Sequence, residues 1–149
     1  MPPERPAGRW KAAAALAVLG VVALAGFFYL RSAEKAAAPV PGTNLTREDL
    51  QTVYSDLCRV QTLARADPEE ARNLFYGRVH SPLHEIARAT GEVDRTAAAR
   101  LLEAKNDVEA ALDPGVSQSQ AAEAVGRLLP QTEQSLRSVE VTTSSCRSS

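Results

Sequence analysis

The first pattern in the chain is an unbroken apolar run, Ala12 to Leu30, AAAALAVLGVVALAGFFYL, 19 residues without a charge. A bilayer core about 30 Å thick takes about 20 apolar helical residues. In lipid an isolated span must satisfy its backbone internally, which a helix does. The run predicts a transmembrane anchor over 12–30, with Trp10 and Tyr29 suited to the two interfaces. Beyond Pro39, Pro41 and Gly42 the pattern changes: apolar positions recur three and four apart, the helical period.

Four such stripes follow. Thr46-Arg47-Glu48-Asp49 resembles a capping box. It opens a first helix to about Ala66, with Leu50, Val53, Tyr54, Leu57, Val60, Gln61 and Ala64 on one face. Asp67 as cap, Pro68 at the first helical position and Glu69-Glu70 start a second helix. Its apolar row is Phe75, Val79, Leu83 and Ile86, and Thr90-Gly91 closes it. Pro82 lacks an amide proton for the Arg78 carbonyl, which predicts a kink or break there.

The third helix is expected from Asp94 or Arg95 to Leu112, where Asp113-Pro114-Gly115 signals a turn. Ser117-x-x-Gln120 is a capping box for the fourth. Ala121, Val125, Leu128, Leu129, Thr132, Leu136 and Val139 form its stripe, with Pro130 on the solvent side. No alternating β-branched run is long enough for a sheet. The fold class is therefore all-α: a single N-terminal transmembrane helix followed by a small up-down four-helix bundle. The expected divisions are a cytoplasmic stub (1–11), the anchor (12–30), a linker (31–45), an extracytoplasmic helical domain (46–140) and a polar tail (141–149).

A cleaved signal peptide is the rival reading of the apolar run. Arg5, Arg9 and Lys11 make a basic leader, and Ala23-Leu24-Ala25 is a small-x-small cleavage pattern. Continuation through Phe27, Phe28, Tyr29 and Leu30 favours a retained signal-anchor. Either reading places the C-terminal domain outside the cytoplasm; the favoured one gives a single-pass cell membrane protein with a cytoplasmic N-terminus.

Composition narrows the partners. The net charge of −1 and 5% aromatic content suggest no nucleic acid. The membrane, through residues 12–30, and an unidentified protein are the partners expected. Of two cysteines, Cys58 and Cys146, an oxidising compartment favours a disulfide over two free thiols. In an up-down bundle the tail would run back along helix one. Six extended residues from Glu140 to Cys146 cover about 20 Å, and Cys58 lies about 18 Å into that helix.

Candidate chemistry is sparse. His80 and His84 sit four apart, the helical spacing of a two-imidazole metal site, with Glu85 adjacent and Tyr76 a turn before. Pro82 between them, their place off the apolar row and the lack of an H-E-x-x-H pattern favour two surface histidines instead. There is no C-x-x-C-H for haem, and no cofactor is implied. Lys105 falls within helix three's apolar face, between Leu101 and Val108. Either its stem packs while the ammonium reaches out towards Glu109, or it forms a buried ion pair with another helix, Glu85 being one partner. No nucleophile, base and acid constellation stands out. The expected role is a non-enzymatic interaction or accessory module, the alternatives being a metal-binding bundle on His80 and His84 or a cell-envelope hydrolase.

Overall fold

The computed structural model describes residues 38–146. The stub over 1–11, the anchor over 12–30 and the last three residues lie outside the described residues. Among the described residues no helix is long and apolar enough to cross a membrane.

The described region is all-helical, a four-helix bundle without strands. Helix α1 is Arg47–Ala66, capped by Thr46. The Thr46 hydroxyl accepts from the Asp49 amide, and the Asp49 carboxylate accepts from the Thr46 amide. Asp67 caps α2, Pro68–Leu74, with Pro68 in the position where a missing amide proton costs least. A π-helical turn, Phe75–Val79, leads without interruption into α3, His80–Val93. Asp94 caps α4, Arg95–Ala111, and Ser117 with Gln120 boxes the start of α5, Gln118–Ser138. The starts of α1, α2, α4 and α5 each follow a capping residue written in the sequence.

The helix is not broken at Pro82, which lies inside His80–Val93. The irregularity falls one turn earlier, where the His80 amide donates to the Phe75 carbonyl, an i→i+5 bond. The π turn lets α-helical geometry begin afresh at His80. Pro82 then lies in the first turn of α3, where proline is tolerated. The helix also runs past Thr90-Gly91 to Val93, and the Asp94 amide donates to the Thr90 carbonyl to close its last turn.

Each rod packs on its chain neighbours, and α5 closes the ring against α1. Phe75, Leu50, Leu57, Leu83, Ile86, Leu101, Leu128 and Leu136 fill the centre, all fully buried. These are residues of the four predicted stripes. At Gly126 α5 has α1 beside it: a Cβ there would meet the Gln61 side chain at 3.1 Å.

The helical unit starts earlier than residue 46. Pro39 bridges to Thr46, Val40 is buried, and a Cβ on Gly42 would touch Ala89 at 3.0 Å. The Thr43 hydroxyl donates to the Val40 carbonyl. From Pro39 onward the expected linker over 31–45 is thus an ordered turn against α3. Its order comes from specific local bonds that a Pro- and Gly-bearing composition does not announce.

The polar tail is also held. Helix α5 ends in a Schellman motif: the Val141 amide donates to the Leu136 carbonyl and the Glu140 amide to that of Arg137. Val141 and Leu136 are both buried, the apolar contact that accompanies the motif. The tail then lies along α1. Arg47 donates to the Glu140 carbonyl and Gln51 to the Thr142 carbonyl at 3.1 Å. Cys58 and Cys146 are joined, their Cα atoms 5.5 Å apart. Arg47, Gln51, Tyr54 and Cys58 form one stripe at spacings of four, three and four residues, which an extended strand can follow.

Candidate functional site

Among the described residues one charged side chain is buried, between the π turn, α3 and α4. There Lys105, on α4, keeps only 3% of its side chain exposed. Its Nζ lies 2.6 Å from Glu109 Oε1, one turn further along the same helix. The same oxygen is 2.6 Å from His80 Nε2, which arrives from the start of α3. One carboxylate oxygen therefore serves two nitrogens, and those nitrogens are 3.4 Å apart. His80 and Glu109 are each about one-third exposed, at 30% and 29%, so the cluster opens to solvent on one side.

The π turn explains how His80 reaches this place. An i→i+5 turn rotates the chain less per residue than an α-turn. It therefore swings His80 from the flank, where an unbroken α-helix would put it, towards the buried row. Arg78, inside the turn, is anchored to Asp56 of α1 at 3.1 Å. Around the cluster, Tyr76, His80 and His84 form an aromatic file. Ring centroids are 5.6 Å apart for Tyr76 and His80, and 5.1 Å for His80 and His84. Tyr76 is 41% exposed, and the Arg72 guanidinium lies 5.9 Å from its ring centre.

Electrostatics follow from this geometry. Burial holds the His84 imidazole below its ordinary pKa, and the charges of Lys105 and His80 add to that; Glu109 opposes them. Burial pushes the Glu109 carboxyl up, but the hydrogen bonds and charges of Lys105 and His80 outweigh it and hold it below the ordinary value. Tyr76 is raised, first by burial and then by Glu109 and Asp113.

The structure brings His80 and His84 together and leaves Glu85 apart from them. Glu85 accepts from Arg88 at 2.7 Å and from the Asn44 amide at 3.2 Å, tying α3 to the 39–46 turn. Among the described residues no three His, Cys, Asp or Glu side chains are gathered for a metal ion. Lys105 pairs with Glu109 of its own helix rather than with Glu85 of another, and its ammonium stays inside rather than reaching out to water. The Lys105–Glu109 spacing was legible as i, i+4. The contact of Glu109 with His80 had no sequence signal, because it depends on the π turn.

No family model matches the chain, and comparison with curated proteins and solved structures gives no significant match.

Proposed function

We propose that the chain is a single-pass membrane protein whose up-down helical bundle acts outside the cytoplasm as a non-enzymatic interaction or accessory module. The Cys58–Cys146 bond carries the reading. Such a bond persists in oxidising compartments and is rare in the cytosol. The charge-free run from Ala12 to Leu30 supplies the anchor. The chemistry of the polar cluster supports a non-catalytic role. Glu109 is committed to Lys105 and His80 together, which holds α3 to α4 and uses up the carboxylate that a general base would need.

Cross-linking in intact cells tests the reading, with the full chain recovered through a C-terminal tag after detergent extraction. A discrete cross-linked protein that recurs between preparations is the expected result. Repeated recovery of the chain alone would contradict it. An alkaline phosphatase fusion after Ser149 tests the topology separately: it should be active, and an inactive but intact fusion would place the domain inside.

A further inference from the structure

We propose that the Cys58–Cys146 bond is an exchangeable clasp: a protein dithiol outside the cytoplasm opens it, and the chain after Val141 then leaves α1 while the four-helix bundle stays folded. The bond lies where such a reagent can reach it. Cys58 is half-buried at the margin of the core, and Cys146 is exposed. Exchange depends on access of a thiolate to one sulfur of the pair. Attack on the Cys146 sulfur breaks the S–S bond and forms a mixed disulfide, and Cys58 leaves as a thiolate that takes a proton from water. The second thiol of the reductant attacks its own partner sulfur in that mixed disulfide, and its proton goes to the departing Cys146. Two electrons pass from the dithiol to the pair, and the reductant leaves as a disulfide. An oxidised dithiol protein runs the same steps backwards and closes the clasp.

The structure separates what this bond holds from what the helices hold. The Schellman motif carries the chain to Val141, which is 1% exposed. Among the described residues no core side chain lies beyond it. From Thr142 on, the tail is tied to α1 by the hydrogen bond from the exposed Gln51 to the Thr142 carbonyl at 3.1 Å and by the disulfide. One solvent-exposed hydrogen bond does not offset the conformational entropy of ordering Thr143, Ser144, Ser145 and Cys146. With the clasp open, that segment comes free. The bundle keeps its own contacts: α1 packs on α5 directly, and the caps at Thr46, Asp67, Asp94 and Ser117 are untouched. Opening lowers the margin against complete unfolding, because a loop with 88 residues of separation is no longer closed. It removes no packing from the folded form. The use of the clasp as a switch rests on the location proposed above, where disulfides and protein dithiols meet. The release of the tail does not rest on it.

The test uses the full oxidised chain in detergent micelles without denaturant. Reduced thioredoxin is added as the protein dithiol, and free thiols are counted at intervals by maleimide mass. Backbone order parameters and far-UV circular dichroism are measured before and after. Two labels should appear within minutes while the protein stays folded. Order parameters at 143–146 should fall from about 0.85 to below about 0.6, while those of α1 and α5 should stay at about 0.85. Helical ellipticity should be unchanged. Cys146→Ser should show the same loose 143–146 segment with no reductant added. Labels that appear only in urea would overturn the clasp. So would a 143–146 segment that keeps its order once the bond is open, or a bundle that melts with it. An inactive alkaline phosphatase fusion would overturn the location and leave these readings as they are.

Discussion

The ammonium of Lys105 lies 3.4 Å from Nε2 of His80, and both nitrogens converge on one oxygen of Glu109. This arrangement ranks three substitutions. Glu109→Gln leaves a buried ammonium without its counter-charge and should cost about 3 kcal/mol, the low end for a broken buried pair because Glu109 is partly solvated. Lys105→Met leaves a carboxylate that keeps His80 and some water, and should cost less than half as much. The Lys105→Met, Glu109→Gln double variant should sit closer to wild type than Glu109→Gln alone. Urea unfolding midpoints at pH 7.5 check the order.

Acid should destabilise the domain in two stages, with signs set by the two shifted groups. His84 has a folded pKa below its ordinary 6.5, so the unfolded chain binds the extra proton first. Its contribution is intact above that value and is lost as pH falls below it. Glu109 is likewise held below its ordinary 4.5. The stability it gives is present above 4.5 and lost as pH falls through the folded value. Midpoints measured in two windows, 7.5 to 5.5 and 5 to 3, should both fall with acid, and only the first should be removed by His84→Gln.

Glu140 is the one non-glycine residue with positive φ among the described residues, at 60°. It occupies the left-handed position of the Schellman motif, where glycine carries no Cβ penalty. Its carboxylate reaches Arg47 only at 3.9 Å and is 85% exposed, so that pair contributes little. Glu140→Gly should therefore stabilise the domain by about 1 kcal/mol, read as a higher thermal midpoint.

Ser135 is fully buried, and its hydroxyl has no hydrogen-bond partner. Removing an unpaired buried hydroxyl removes a desolvation penalty. Ser135→Ala should be neutral or stabilising by up to about 1 kcal/mol, whereas Thr132→Val should cost a comparable amount, since the Thr132 hydroxyl donates to the Leu128 carbonyl at 3.0 Å. Paired thermal melts distinguish the two.

The bundle was legible because its signals are local. Thr46, Asp67, Asp94 and Ser117 each cap the helix that follows, and the four apolar stripes are the four buried faces. The reach of the tail was also legible, from the axial position of Cys58 and the span of six extended residues. What escaped depends on tertiary context. The π turn arises where a helix must pass Pro82 and still bury Phe75, Val79 and Leu83, a compromise between backbone and core that periodicity alone does not contain. The His80–Glu109 contact follows from that turn and was hidden with it. The ordered 39–46 turn depends on Thr43 bonds and on Gly42 against Ala89, which a composition reading takes for linker.

The tail is held to α1 by hydrogen bonds from Arg47 and Gln51 and by one covalent bond. The loop it closes, with 88 residues of separation, makes the bond worth on the order of 4 kcal/mol by chain entropy. Cys58→Ser should lower stability by about that amount. Cys146→Ser should do the same, because either change opens the same loop.

The state of those two cysteines in the cell tests the account most directly. Intact cells expressing the full chain are quenched with acid, and the protein is unfolded in a thiol-reactive maleimide of high mass, with and without prior reduction. The account predicts no mass shift without reduction and two added labels after it, as expected of a disulfide formed outside the cytoplasm. Two labels without reduction would mean free thiols in the cell, and would contradict both the stapled tail and the proposed location.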